Sequence, residues 1–304
     1  MVGVFSSNRA AQLSVQRRRA ASGARVNGTL AMGKQMLSDS HRVHETDKKI
    51  DDDVENAKFV NHLFVRLVAK GRRFVNVDFK YSIFDTSYLR NCKFDSCDFT
   101  GCRFIGTNLY GSSFAGCKFE YSNFERTLID SDILDTGCPG SENLKMKFAR
   151  TLRVNYQQLG DAPSANKAIQ VELKATEIHL HKAWSSNESY YRKKYAKWKR
   201  AKAFVEWVQF KTLDFIWGNG ESTLKLIRST VVILLIMTVI DVTAFRNTQL
   251  ISSYLNSLYE SPQIFLGTLT PANYPKSYLT AILFVRLVTF GFFMSIIIKR
   301  FNRR

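Results

Sequence analysis

The sequence predicts a chain in three parts: a solenoid that turns a corner every five residues, a helical segment, and a membrane domain of two spanning helices. Three observations lead to this fold class. Large apolar residues recur with period five between residues 71 and 135, two long apolar runs lie within residues 224–298, and the rest is mostly polar and basic. With 44 Lys and Arg against 26 Asp and Glu, the formal net charge is +18. A hydrophobic content of 45% excludes a disordered chain, and five prolines exclude a collagen-like one.

The repeat itself defines the first part. Neither an α-helix nor an ordinary strand has a period of five, but a chain that turns every five residues can bury every fifth side chain. A small residue usually stands two positions before each large one, as Cys92 and Cys97 do. The large residues are Phe74, Phe79, Phe84, Leu89, Phe94, Phe99, Phe104, Leu109, Phe114, Phe119, Phe124, Ile129 and Leu134.

This pattern resembles that of pentapeptide-repeat proteins. The resemblance implies a right-handed quadrilateral β-helix, here residues 54–140, with one repeat on each side of every coil and Phe74, Phe94 and Phe114 stacked in one interior column. Residues 57–69 would cap the first coil. Solenoids usually present binding surfaces, so we expect a cytosolic protein or ligand as partner. The cysteines then fill corners as small, buried, inert residues, the alternative being a redox or metal role.

The segments around the repeat have different compositions. Residues 1–53 are basic and poor in aromatics, which predicts disorder. Residues 141–223 are predicted to form cytosolic and interfacial helices. Two of these helices are joined at residues 159–163, where Gly160 can end the first and Asp161 can cap the second.

A basic stretch with interleaved aromatic residues precedes the membrane domain. Such a stretch could bind RNA, but its position a few turns before a span favours a helix lying on anionic lipid, and nucleic acid is the less favoured partner. Its cations are Arg192, Lys193, Lys194, Lys197, Lys199, Arg200 and Lys202.

Residues 224–304 are predicted to be a membrane domain. The runs 229–245 and 278–298 measure about 26 Å and 31 Å as helices, close to the hydrocarbon core of a bilayer at about 30 Å. Two buried core helices are the alternative. Lys and Arg cluster before the first run and after the second, whereas the loop 246–277 carries few. The positive-inside rule then predicts two spans with both termini in the cytoplasm.

The membrane domain resembles the two-helix, potassium-channel-like pores found at the C-terminus of some bacterial pentapeptide-repeat proteins. Residues 156–177 and 217–228 resemble segments that precede the pore in those proteins, and the loop resembles a pore helix, near 262–267, and a filter. The resemblance implies a bacterial inner-membrane location and four chains around one axis. The candidate filter lacks the two glycines of a TVGYG-like run, so potassium selectivity is not expected. Its residues are Thr268, Leu269, Thr270, Pro271, Ala272, Asn273 and Tyr274.

Three residues within the spans have two interpretations each. Asp241 and Arg286 are the intramembrane charges, and antiparallel spans could bring them together as an ion pair. Alternatively, Arg286 points at the pore, where a ring of cations would favour anions. Gly291 is either a hinge of the second span or a site of close helix packing.

No catalytic motif or metal site is evident, so we expect a non-enzymatic protein without a cofactor. His41, His44, His179 and His181 read as surface residues, and His62 has no evident partner. The sequence favours a homo-oligomeric, tetrameric ion-channel-like protein with a cytosolic sensing domain. The alternatives are a membrane-anchored scaffold without conduction and, more weakly, an effector that inserts into host membranes.

Overall fold

The N-terminal unit, Met1–Pro139, consists mainly of very short parallel strands where it is described. The computed structural model describes residues 42–246 and 248–301. The strands alternate between two parallel sheets, with order β1-β3-β5-β7-β9 in one and β2-β4-β6-β8 in the other. They are β1 (Val43–Thr46), β2 (Val54–Glu55), β3 (His62–Val65), β4 (Arg73–Val75), β5 (Ile83–Asp85), β6 (Lys93–Asp95), β7 (Arg103–Ile105), β8 (Ser113–Ala115) and β9 (Asn123–Glu125).

The register confirms that each coil consists of four repeats. Phe64 pairs with Phe84, and Phe74 pairs with Phe94. Single bridges such as Asp78 to Asp98 connect the coils between the two sheets. The chain turns by adopting a left-handed backbone at every fifth residue, for example at Asn76. Glycine and asparagine recur at these corners because they tolerate positive φ best. The result is a β-solenoid of about four turns, as the period predicts.

Stacked phenylalanine rings form the core of this unit. The Phe79 and Phe99 centroids are 5.1 Å apart with planes at 4°, and those of Phe99 and Phe119 are 5.0 Å apart at 11°. The small residues do more than fill corners, because their side chains donate to carbonyls of the coil below. Thr107 Oγ1 donates to the carbonyl of Phe84 at 3.0 Å, and Thr127 Oγ1 donates to that of Phe104 at 3.0 Å. A small hydroxyl or thiol at the corner therefore adds a side-chain hydrogen bond between successive coils.

The solenoid begins earlier than the sequence indicated. β1 starts at Val43 and pairs with β3, whereas residues up to 53 were predicted to be disordered. Residues 57–69 include β3, which is a regular coil strand and not a cap. Val43 pairs with His62 and not with Leu63. The first coil is therefore one residue shorter than the later coils, in which Phe64, for example, pairs with Phe84. Residues 1–41, including His41, lie outside the described residues.

The C-terminal unit, Gly140–Arg304, is helical where it is described. A hairpin of two helices comes first, and Asp161 accepts a hydrogen bond from the Ser164 N–H at 3.1 Å, which confirms its predicted role as N-cap. The helices, together with a short one that ends the solenoid, are α1 (Ile133–Thr136), α2 (Glu142–Gln158), α3 (Ala162–Ser185), α4 (Ser189–Lys194), α5 (Trp198–Trp217), α6 (Thr223–Phe245), α7 (Ile251–Leu266) and α8 (Lys276–Phe301). A 3₁₀ turn, Gly218–Gly220, connects α5 to α6.

Candidate functional site

Two helices of this unit are long and apolar enough to cross a membrane. These are α6 and residues Lys276–Lys299 of α8, which measure about 34 Å and 36 Å. Most of α8 is exposed, including Phe284 at 67% and Leu287 at 60% of their surface. A core helix of a soluble protein would bury such side chains, so this surface fits lipid or a neighbouring membrane helix better.

Helix α7 packs back along α6 instead of leaving it. Ser261 and Thr238 share a hydrogen bond of 2.8 Å between their hydroxyls, and the Ser257 hydroxyl donates to the Thr238 carbonyl at 3.4 Å. Ser257 and Ser261 are buried. Small hydroxyl residues at this contact allow close approach and satisfy each other, as in helix contacts within bilayers.

Two measurements place the end of α7 at similar depth. Ile264 and Phe265 share a buried apolar cluster with Met237, which lies eight residues before the end of α6 at Phe245, or about 12 Å. Gly267, the C-cap of α7, lies against Arg286, which follows the start of α8 by ten residues, or about 15 Å. If both spans cross the bilayer, α7 ends near its middle.

The predicted pore helix is thus longer than the sequence indicated. It was expected near 262–267, beginning at Pro262, but α7 begins at Ile251 and contains Pro262. Proline lacks an N–H and normally opens a helix, which is why it suggested a start. Here the preceding turns persist, and their buried hydroxyl side chains at Ser257 and Ser261 hydrogen-bond to Thr238 of α6.

A buried ionic cluster connects the C-terminal end of α6 to α7 and to the segment before α8. Asp241 is 3% exposed and forms an ion pair with Arg246, whose Nε lies 2.8 Å from a carboxylate oxygen. Arg246 also pairs with Glu260 on α7, and the Tyr274 hydroxyl donates to Asp241. Burial and the Asp241 carboxylate raise the pKa of Tyr274, which keeps the phenol protonated as a donor.

The predicted ion pair between Asp241 and Arg286 is therefore wrong. Asp241 instead forms an ion pair with Arg246, which lies only five positions away. Residue counting placed Asp241 and Arg286 at neighbouring depths but could not show that the interposed loop supplies both Arg246 and Tyr274 as closer partners.

The candidate filter divides into an anchored and an exposed set. Leu269 packs against the apolar cluster around Met237, and Tyr274 is buried with its ring 4.7 Å from that of Phe245. Thr268 and Thr270, on either side of Leu269, are exposed. The remaining residues form a turn, in which the Tyr274 N–H donates to the Pro271 carbonyl at 3.4 Å and Ala272 and Asn273 are exposed.

The predicted hinge, Gly291, lies within the continuous helix α8. A Cβ placed there would meet no atom within 4 Å, so no contact within the described chain requires glycine at this position. The hinge at Gly291 therefore stays a prediction. The alternative, that Gly291 allows close helix packing within the chain, has no support from these contacts.

The N-terminal end of α6 and the C-terminal end of α8 meet the turn that follows α5. The rings of Trp217 and Phe292 stack with centroids 4.5 Å apart, and Lys299 lies 3.6 Å from the Glu221 carboxylate. Gly220 has a φ of +87°, and a Cβ there would collide with the Lys299 side chain. The end of α5 is thus packed directly against the last turns of α8.

The comparisons with known proteins bear on the N-terminal unit. A family model described as "Pentapeptide repeats" matches residues 73–111 and 97–128, with 8 copies. The chain therefore contains a pentapeptide-repeat β-solenoid. The comparison with curated proteins gives no match.

Among solved structures, the pentapeptide-repeat solenoid is similar to a pentapeptide-repeat protein of the Arabidopsis thaliana thylakoid lumen. Identity is 14% over 38% of this chain and 75% of that chain, with a TM-score of 0.28. Rfr23 from the cyanobacterium Cyanothece 51142 gives 10% identity over 32% and 80%, with a TM-score of 0.13. Full-length QnrB1, a plasmid-mediated fluoroquinolone resistance protein, gives 17% over 28% and 61%, also with a TM-score of 0.13.

The pentapeptide-repeat solenoid exposes several tyrosines. Tyr81, Tyr110 and Tyr121 are 54–68% exposed. Gly101 makes room for the Tyr81 ring, because a Cβ there would lie 2.6 Å from Tyr81 Cδ1. Exposed tyrosines on a rigid surface are typical of protein-binding sites.

The basic stretch before α6 forms parts of two separate helices. It forms α4 and the start of α5, with a break at Lys197, where φ is +49°. Arg200 donates to the carbonyls of Trp184 and Ser185 at the end of α3, and Lys194 lies over the Tyr190 ring at 5.3 Å. The other cations of the stretch are exposed: Arg192, Lys193, Lys197, Lys199 and Lys202.

The prediction of a surface histidine at 179 is wrong. His179 is buried, and its ring nitrogens contact the hydroxyls of Tyr191 and Tyr195 at 3.1 and 3.2 Å. Burial, with a contribution from Lys194, lowers the pKa of His179. The two tyrosines could have indicated this burial from the sequence, because α4 returns along α3 and brings them next to His179. Within the described ranges, no group of three or more His, Cys, Asp or Glu could hold a metal ion.

Proposed function

We propose that this chain is an inner-membrane protein of bacteria whose membrane domain assembles, as a tetramer, around a path for small ions. In this proposal α6 and α8 span the membrane, both termini are cytoplasmic, and the pentapeptide-repeat solenoid binds a cytosolic partner. The function is passive and non-enzymatic. The observation that carries it is the depth of α7, which returns along α6 and ends beside Met237 and Arg286.

A helix that ends at mid-membrane supports a pore for a physical reason. The segment after α7 is non-helical, and its residues Thr268 and Thr270 are exposed. Non-helical backbone at that depth is tolerated only where protein or water surrounds it, because lipid satisfies no hydrogen bond. Copies of the chain around one axis would provide both a protein wall and a water-filled centre.

The packing at the inner ends supports a route for control. Since Trp217 stacks on Phe292 and Glu221 pairs with Lys299, a displacement of α5 is transmitted to the last turns of α8. In this proposal a partner acts through the cytosolic helices to change the separation of the α8 inner ends.

Flux measurements test the proposal. Full-length protein is reconstituted in liposomes loaded with an ion-sensitive dye, and flux is followed after an ion gradient is imposed. We expect flux that is lost when Thr268 is replaced by Phe, a bulky residue at an exposed position of the candidate filter, and retained in Lys174→Gln, a change on the exposed surface of α3. No flux from wild-type protein under any ion gradient would remove the pore.

Anionic lipid is the second partner in this proposal. Along α5, Trp198, Val205 and Val208 are 81%, 61% and 40% exposed and recur at helical spacing on one face. Exposed lysines flank this face, as in helices that lie at a lipid interface. Lipids with brominated chains should quench the Trp198 fluorescence in proteoliposomes. The quenching measured in Trp198→Phe is subtracted from that of the wild type to isolate the contribution of Trp198. Equal quenching in the two proteins would contradict interfacial binding.

A membrane-anchored scaffold is the second candidate function. The observation that favours it is the TLTPANY sequence of residues 268–274, which lacks the glycines of known potassium filters. In that case the spans only tether the solenoid, and the exposed tyrosines at 81, 110 and 121 carry its binding function. The flux experiment separates the two functions, because a tether conducts under no condition.

A further inference from the structure

Arg286 is an intramembrane cation with an unusual position. It lies ten residues into α8 and is only half-buried. A Cβ on Gly267 would stand 3.2 Å from its Cζ and 3.5 Å from its Nη2, so the guanidinium occupies the space that glycine leaves. Among the described residues, Arg286 forms no ion pair with a carboxylate, whereas Asp241 is paired with Arg246.

Other copies of this chain cannot neutralise Arg286 from their spans. Asp241 is the one carboxylate in the sequences of α6 and α8, and its partner is Arg246. Glu260, the one acid of the connecting loop, pairs with the same Arg246. A homo-oligomer therefore places one uncompensated guanidinium per subunit at mid-membrane. Because an isolated charge is costly in hydrocarbon, it requires water or a mobile anion.

Arg286 is not needed to satisfy the backbone carbonyls of Gln263 and Ile264 at the end of α7. The Gln263 carbonyl accepts from the N–H of Thr268 at 2.9 Å and from its hydroxyl at 3.0 Å, and the Ile264 carbonyl accepts from the Gly267 N–H at 3.1 Å. The last turn is thus closed by its own chain, as in an ordinary C-cap at a left-handed glycine. The guanidinium adds positive charge at the negative end of the helix dipole.

We propose that Arg286 is an anion-coordinating residue of the permeation path, and that the permeant species is a small inorganic anion such as chloride. The proposal rests on the proposed pore, since it assigns the ion that this pore carries. The negative end of the α7 dipole would by itself favour a nearby cation. Here Arg286 cancels that end and, repeated around the axis, repels cations beside the exposed Thr268.

Reversal potentials in planar bilayers test the assignment. Full-length protein is studied with potassium chloride at a tenfold gradient, and the sign of the reversal potential identifies the permeant ion. We expect chloride selectivity in wild-type protein and in Arg286→Lys, a loss of roughly tenfold or more in the chloride-to-potassium permeability ratio in Arg286→Gln, and cation selectivity in Arg286→Glu. Lys174→Gln serves as a control on exposed α3, away from the pore.

The outcomes separate this inference from the proposed function. A conducting wild-type protein that selects potassium, or a permeability ratio that Arg286→Gln leaves unchanged, overturns the anion site and keeps the pore. No conductance in the wild type overturns both. Size-exclusion chromatography of each variant in detergent shows whether the assembly has survived, and a selectivity reversed in Arg286→Glu while the oligomer persists supports a direct role on the path.

Discussion

The replacement Phe99→Ala should open the solenoid from its centre. Phe99 is 1% exposed and stacks between Phe79 and Phe119, with further ring contacts on either side. Removal of a buried phenylalanine side chain costs about 3–5 kcal/mol in the free energy of unfolding, through lost burial and the cavity left behind. The rigid register of the coils above and below prevents collapse of that cavity, so we expect the upper part of this range.

The cysteines supply an assay specific to the solenoid. Cys102 is fully buried, and burial raises the pKa of its thiol, so a thiol reagent reaches it only after the coils open. When opening is fast relative to labelling, the labelling rate follows the opening equilibrium. At about 1.4 kcal/mol per factor of ten, the upper part of that range means that Phe99→Ala should accelerate Cys102 labelling in the full-length protein by roughly 10³ to 10³·⁵.

Matched variants make this prediction refutable. Phe99→Leu keeps most of the apolar volume and should accelerate labelling far less. Tyr121→Ala removes a ring of similar size that is 68% exposed and should change the free energy of unfolding by less than about 0.5 kcal/mol. If Phe99→Ala labels Cys102 no faster than Tyr121→Ala does, the stacked rings are not what stabilises the solenoid.

Three further predictions concern the helical unit. Asp241→Asn leaves Arg246 without its buried partner and should lower the free energy of unfolding by about 3 kcal/mol, seen as a lower thermal midpoint by circular dichroism in detergent; an unchanged midpoint refutes the ionic cluster. Gly267→Ala meets a φ of +83° and should destabilise by about 1 kcal/mol or more, whereas Gly291→Ala, with open space around it, should be neutral or stabilising; equal effects would contradict the packing at Gly267. Because the pKa of buried His179 is lowered, its contribution to stability is complete above its unfolded value near 6.5 and is lost as pH falls below it. Tryptophan fluorescence, which reports residues 184–217, should show this loss in wild type and not in His179→Gln.

The solenoid could largely be predicted from the sequence, because its geometry imposes the same requirement on every fifth residue. One ring must point inward and one small side chain must fit a corner, so each coil provides an independent confirmation. The failure occurred at the first coil, where the pairing of Val43 with His62 is out of phase with the later coils and the period is broken. The hydroxyl-to-carbonyl bonds of Thr107 and Thr127 escaped notice because a bond between successive coils has no local pattern.

The C-terminal helical unit could be predicted from the sequence in outline only. Length and composition identify α6 and α8, since a span needs little more than apolar character over the bilayer thickness. The partners of polar residues depend on the path of the loop between them. Arg246 lies at the end of α6 and reaches both Asp241 and Glu260, a geometry that requires α7 to fold back. His179 was misjudged for the same reason, because its tyrosine partners lie beyond the end of its own helix.

The correction at Asp241 changes the electrostatics around α7. Had Asp241 paired with Arg286, the two charges would cancel and the C-terminal end of α7 would be neutral. With Asp241 and Glu260 both paired with Arg246, the negative charge lies near the C-terminal end of α6, and Arg286 is the charged side chain beside Gly267 at the end of α7. Low-dielectric walls focus a field of one sign, so in the proposed pore this charge would act on permeant ions at close range. In that proposal, the pairing of Asp241 with Arg246 is what leaves Arg286 free to act on them.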